Sequence, residues 1–309
     1  MRPDLITLKQ LRAVLAVAET GSITAAAQRL ALSVPAVHNQ IKLLEENTGL
    51  PLLRRSADSA GSDLTEAGFI VHDAAQRIAA MLVHMGDDLS AQSRGASGRV
   101  VLSVVSTAKY FAPRLVKALS DQMPGIEIAL TVGNRERVIA DLDRGVADLA
   151  IMGRPPRKPV VDAFPLGPHP HGLIAPPDHP LASRSPLTPD ELHDQVFLSR
   201  EVGSGTRILM ERYLAELFDR GYAVAVMDSN ETIKQAVMAG LGIAFLSLHT
   251  VTEELREGRL IQLAAPGLPI SRHWFLVRAA ADPERPATAN LRAAILRMDG
   301  HFLPAIQTR

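Results

Sequence analysis

The 309-residue sequence contains no cysteine, which excludes disulfide scaffolds, thiolate metal sites and cysteine nucleophiles. Aromatic residues are scarce at 4%, against 47% hydrophobic residues in all, so Ala, Leu and Val must carry the cores. Neither sign of charge is in excess: Lys plus Arg and Asp plus Glu number 33 each. The whole chain therefore has no nucleic-acid charge signature, and any such field has to be local, or doubled by dimerisation. No run of about 18 apolar residues exists to cross a bilayer, and Lys9 and Arg12 interrupt the N-terminus where a signal peptide would need an apolar core. A cytoplasmic protein with no membrane partner is expected, long enough for two or three domains.

What is present starts with Ser22 to Leu44, SITAAAQRLALSVPAVHNQIKLL. Ser22 can cap one short helix with a small apolar face, Ala25, Ala26 and Leu30. After a turn at Ala31-Leu32, Ser33 can cap a second helix with Pro35 near its start, where a missing N–H does no harm. Val37, Ile41 and Leu44 recur at helical spacing and should face the core. Val34, His38, Asn39 and Lys42 then face outward, beside Gln40. A short helix, a tight turn and a second helix with a polar outer face predict a helix-turn-helix, whose second helix matches a DNA major groove. Two packed helices of an ordinary helical domain are the alternative.

A first helix is expected over 5–20, ended by Gly21. Leu52-Leu53 and Leu64 bracket a polar loop that would form a wing, in which Arg54 and Arg55 are the only cations and Asp58 and Asp63 oppose them. Thr65 should cap a long helix reaching about Ser90. Its Val71, Ala75, Ile78, Leu82, Met85 and Leu89 alternate in steps of four and three, a pairing seam that polar neighbours leave narrow. Residues 91–98 read as a linker. Strands and helices then alternate through Met152, predicting a parallel sheet with helices on both faces. The Pro- and His-rich stretch from Phe164 to Pro189 crosses to a second lobe of the same kind, and the tail from Ser271 returns, making a hinged cleft.

Ligands of open α/β sheets bind beyond the carboxyl ends of strands, at helix N-termini. Here those positions hold Ser106, Thr107 and Lys109; Asn134 and Arg135; Arg154; Ser204, Thr206 and Arg207; and Asn230 and Lys234. Five cations among hydroxyl and glycine donors suit an anion with more than one phosphate or carboxylate. Each alone reads equally as a capped helix with a solvated charge. Enzymatic readings lack residues. Val202-Gly203-Ser204-Gly205 is no nucleophile elbow, because Val stands two before the Ser, and no P-loop or G-x-G-x-x-G opens a helix. His169, His171 and His179 have no carboxylates at ligand spacing, so neither a metal nor a bound cofactor is expected.

At this length and order the chain resembles the LysR-type transcriptional regulators. The resemblance is carried by Thr65-Glu66-Ala67-Gly68, Asp178-His179-Pro180-Leu181 and Ala239-Gly240-Leu241-Gly242-Ile243-Ala244. Within that family it looks most like regulators of the Calvin-cycle (RuBisCO) operons, through STAKYFAPRL (106–115), TVGNRE (131–136), DLAIMGRPP (148–156), GSGTR (203–207), SNETIKQAVMAGLGIA (229–244) and GLPI (267–270). The resemblance implies a winged helix-turn-helix over 1–64, a linker and dimerisation helix over 65–91 and a two-lobed domain of the periplasmic-binding-protein kind over 92–309. In the last, lobe I would take 99–166 and 270–309 and lobe II 167–269. It implies double-stranded DNA as partner, a dimer of dimers, RNA polymerase as a further partner, and an activator role. Its effector would be ribulose bisphosphate, another sugar phosphate or NADPH. DNA contacts would fall to Ser22, Thr24, Ser33, Val34, Pro35, His38, Asn39, Lys42, Arg54 and Arg55. The chain departs from the family in having Val34 where Gln is common, His38 where Ser is usual, and a longer, arginine-poor wing loop at 57–63. A regulator of another operon with a carboxylate effector, and a solute-binding protein without DNA function, are the alternatives.

Overall fold

The computed structural model describes residues 1–55, 61–94, 98–281 and 284–306. They form two compact units, 1–86 and 87–309. The boundary falls inside the long helix that follows Thr65.

In the first unit, Thr7 caps α1 (Leu8–Thr20) in a reciprocal box with Gln10, and Gly21 closes it in the left-handed conformation. The helix starts later than the apolar pattern suggests because Pro3–Leu5 form a separate 3-10 turn. Ser22 caps α2 (Ile23–Leu30), and Ser33 caps α3 (Val34–Thr48) through the backbone N–H groups of Ala25 and Ala36, at 3.1 and 3.3 Å. Each such cap is worth about 1 kcal/mol. Val37, Ile41 and Leu44 are buried against Val14, Val17 and the pair Ala26 and Ala27, whose small side chains let the helices approach. β1 (Leu53–Arg55) and β2 (Ser62–Leu64) pair antiparallel as the stem of the wing. Most of its loop, 57–60, lies outside the described residues.

Thr65 caps α4 (Glu66–Arg94), accepting from Gly68 N at 3.0 Å. The seam expected on it divides. Val71 and Ala75 pack into the first unit's core, whereas Ile78, Leu82, Met85 and Leu89 are exposed. Phe69, Ile70, Met81 and Val83 are exposed as well, so the apolar surface is broader than one narrow stripe.

The second unit is organised by one nine-stranded sheet. In lobe I, β3 (Gly98–Val105) lies parallel to β4 (Ile126–Gly133) and β5 (Leu149–Met152). α5 (Ala112–Gln122), α6 (Arg135–Asp143) and α11 (Pro286–Arg297) pack with them. In lobe II, β7 (Val196–Arg200) lies parallel to β8 (Ala223–Met227) and β9 (Ile243–Ser247), with α8 (Gly205–Leu217) and α9 (Asn230–Met238) on separate core clusters. The expectation of a parallel sheet fails at the centre. Two long strands, β6 (Val161–Ala175) and β11 (Ile270–Ala279), run antiparallel to one another and join the lobes. The short β10 (Ile261–Gln262), α7 (Pro189–His193) and α10 (Thr252–Arg256) complete the described elements.

β6 carries Pro165, Pro168 and Pro170, which reads as a loop because proline cannot donate to a ladder. Residues 161–170 pair only with β11; β9 joins the other edge from His171 onward. A strand open on one side tolerates missing donors. Where the β6–β11 register shifts, Leu166 is the extra residue on β6, and Gly167 beside it, paired with Trp274, has φ +143°; a Cβ there would lie 2.8 Å from Leu303 Cδ1. The backbone conformation favours glycine there.

Candidate functional site

On α3, one helical face is spent on the core and the other is free. Val34, Pro35, His38, Asn39 and Lys42 are all exposed, as are Thr24 on α2 and Ser33 at the turn. Ser22 and Ser33 have their hydroxyl oxygens committed as caps. Val34 has only an apolar surface to offer, suited to a thymine methyl rather than a base-edge hydrogen bond. His38 and Asn39 bring polar edges. Lys42 is 3.9 Å from Glu46 on an exposed face, a weak pairing that leaves its ammonium open to a phosphate. Arg54 is exposed on β1, with Asp63 opposite in the ladder; the Arg55 side chain lies outside the described residues.

In the second unit a cavity of about 630 Å³ opens between the lobes. Ser106 and Thr107 after β3, Arg135 at the start of α6, and Arg154 after β5 line it from lobe I. Ser204 and Thr206, with Ile208, Leu209 and Arg212 of α8, line it from lobe II. The crossing strands supply His169, His171, Arg272, His273 and Phe275. Among these described lining residues are four arginines and no carboxylate. Ser204 is the N-cap residue of α8 but makes no side-chain cap. The first N–H groups of that helix thus lack intrahelical partners beside a cluster of positive charge, an arrangement suited to an anion.

Arg135 shows the electrostatic character of the place. Its guanidinium donates to the carbonyl oxygen of Arg154, to that of Pro155 at 3.4 Å and to Met152 Sδ at 3.8 Å. Burial, and then the like charge of Arg154, pull its pKa below the usual value. A half-buried cation surrounded by neutral acceptors and another cation is stabilised by an incoming anion.

Five of the strand-end residues expected at a ligand are placed elsewhere. Asn134 caps α6, accepting from Arg137 N at 2.9 Å. Arg207 donates to Glu211 at 2.7 Å. Lys234 is buried between Glu254 and Glu231, at 2.8 and 3.1 Å, over the Tyr110 ring. Lys109 lies 4.0 Å from the same Glu231, and Asn230 accepts from Arg200 at 2.6 Å. Charge type at a turn was readable; which way each side chain swings depends on acids brought from distant segments.

Arg212, Arg272 and the histidines line the cavity without a local signal in the sequence. A cross-strand pair, His169 with Arg272, was the available signal, but it needs the β6–β11 register. His169 stacks on Trp274 with ring centroids 3.6 Å apart, and its Nε2 lies 2.9 Å from Ser247 Oγ. Trp274 donates to His249 Nδ1 at 3.0 Å. Burial, and then neighbouring histidines, push His169 well below its ordinary pKa; burial takes His171 and His249 to about 4. All three are neutral near pH 7, so none of them adds positive charge beside the arginines. His179 is remote from them, accepting from Leu181 N at 3.2 Å. Among the described residues, no three His, Cys, Asp or Glu are grouped to hold a metal, and no helix is long and apolar enough to cross a membrane.

Comparison with known proteins finds relatives for both parts of the chain. Residues 8–69 match the bacterial regulatory helix-turn-helix protein, lysR family, and residues 93–299 match the LysR substrate binding domain. The HTH-type transcriptional regulator CbbR of Cereibacter sphaeroides is 55% identical over 98% of both chains. The RuBisCO operon transcriptional regulator of Allochromatium vinosum is 40% identical over 94% of this chain and 96% of its own. Among solved structures, the Synechocystis PCC6803 CcmR regulatory domain in complex with 2-PG superposes with a TM-score of 0.61 at 34% identity. It covers 65% of this chain and 97% of that one. These relatives are regulators rather than enzymes, and this chain belongs to the LysR family of DNA-binding transcriptional regulators.

Proposed function

We propose that this protein activates the genes of carbon dioxide fixation, those of RuBisCO and the Calvin cycle, under control of a phosphorylated metabolite held between its lobes. The names of its relatives support the gene class. The observation that carries the effector class is the lining of the cavity: four guanidinium groups without a carboxylate, around a volume in the usual range for small ligands. Ribulose bisphosphate, another sugar phosphate or NADPH brings the matching charge. Residues 1–64 read DNA, with α3 in the major groove and Arg54 and Lys42 on phosphates. The exposed apolar side chains of α4, within 65–91, pair two chains, and dimers pair into tetramers. The promoter and RNA polymerase place this work in the cytoplasm.

Calorimetry with ribulose bisphosphate, inorganic phosphate and NADPH tests the cavity. Wild type binds at least one, Arg135→Ala binds it about 10- to 100-fold more weakly, as expected for a lost charge-assisted hydrogen bond. Arg207→Ala stays near wild type because that side chain serves Glu211. Equal binding by all three proteins overturns the placement. A gel shift with the upstream region of the RuBisCO genes tests the other half; no shift rejects the gene class.

A further inference from the structure

Ser106 belongs to two arrangements at once. The residue lines the cavity, and its hydroxyl oxygen receives Nη2 of Arg200 at 3.1 Å. Arg200 comes from the end of β7 in lobe II and does not line the cavity. It is 3% exposed and held from its other sides. Nε and Nη2 donate to the two oxygens of Glu201 at 2.7 and 2.8 Å, and Nη1 donates to Asn230 Oδ1 at 2.6 Å. The guanidinium is therefore a fixed fork with one prong directed across the cleft.

A guanidinium has donors only, whereas a hydroxyl has one donor and two acceptor positions. In this contact the Ser106 oxygen must accept. Its own proton is then the group left to turn elsewhere, and the adjacent cation polarises that O–H and strengthens it as a donor. Freed of Arg200, a serine hydroxyl at a strand end can spend its proton on nearby backbone carbonyls instead.

We propose that Arg200 is a positioning residue of the anion site: by committing the Ser106 oxygen as an acceptor, it presents the Ser106 O–H to the bound anion. This rests on the cavity being the anion site. It makes a lobe I donor depend on a lobe II residue, so a ligand held by Ser106 senses whether the lobes are together. A second bridge, the Tyr110 O–H donating to Glu231, also joins the lobes, but neither residue lines the cavity. It is the natural control, since it shares the bridging and places no group at the cavity.

The test is a double-mutant cycle in the full-length protein, titrated with ribulose bisphosphate, inorganic phosphate and NADPH. Binding is read by calorimetry and by emission of Trp274, the only tryptophan in the chain. Ser106→Ala and Arg200→Met each weaken binding about tenfold, and the double variant is no weaker than the poorer single. Arg200→Lys, which keeps a donor, stays within about threefold of wild type. Tyr110→Phe combines additively with Ser106→Ala. If Arg200→Met fails to unfold cooperatively, Arg200→Gln takes its place in the same cycle. Losses that multiply to about a hundredfold in the Arg200–Ser106 double overturn the proposal. So does a Tyr110–Ser106 coupling as large as that of Arg200, because lobe closure alone then explains it. If Arg135→Ala weakens binding while the cycle is additive, only this inference falls. If wild type binds none of the three probes, or Arg135→Ala changes nothing, the cavity reading falls and takes the inference with it.

Discussion

His38 and Lys42 stand exposed on α3, each with little to hold it but its own helix, and the backbone beneath them is fixed by core residues they do not touch. Arg135, Ser106 and His169 are each placed by a group from another segment: Arg135 by carbonyls from the turn after β5, Ser106 by a guanidinium from the other lobe, His169 by a stacked tryptophan. The first surface is a set of independent groups and the second an interlocked one. Energetics should follow. Substitutions on α3 and the wing ought to be small and additive, whereas those in the cavity ought to be larger and coupled.

The largest effect that separates the two regions is expected from Gly153→Ala. A Cβ there would lie 2.8 Å from His169 Nδ1 and 3.1 Å from Cε1, contacts to a ring already packed on Trp274 and unable to retreat. Overpacking of this kind costs about 1–3 kcal/mol. Thermal unfolding of the second unit should fall, Trp274 emission should shift, and anion binding should weaken, while DNA retention through the first unit persists. An unchanged melting temperature and emission would show that the stack is loose, and that the cavity is less interlocked than its geometry implies.

The smallest effects belong to Lys42→Ala and Arg54→Ala. Each removes one phosphate contact, so each should lower the slope of log affinity against log salt by about 1 for any DNA sequence, and the double variant by about 2. Slopes unchanged in both would take these residues off the phosphates. Strong coupling between them would contradict the independence ascribed to this surface.

How far each region could be read from the residues follows the same division. α3 was legible in detail because its determinants are local: Ser33, Pro35 and the spacing of Val37, Ile41 and Leu44 lie within four turns. The alternation of strands and helices on either side of the crossing was legible too, from apolar runs and caps. The central crossing was not. Pro165, Pro168 and Pro170 argue against a strand unless the open edge of β6 is known, and that edge is set by how two segments a hundred residues apart align. The site divides likewise. Arg135 and Arg154 reach the cavity as their turns suggested, but Lys234 is drawn away by Glu254, twenty residues on, and Arg207 by Glu211. Arg200 escaped notice because a cation inside a strand looks like a defect until its three partners are in view.

The central claim is that occupation of the arginine-lined cavity and binding of α3 to DNA are one equilibrium. Linkage requires the coupling to be reciprocal. The decisive measurement is calorimetric titration of ribulose bisphosphate into the full-length protein, with and without a saturating duplex from the RuBisCO upstream region, paired with the DNA affinity measured with and without ribulose bisphosphate. The same factor should appear in both comparisons. Binding of both ligands with affinities indifferent to one another would contradict it.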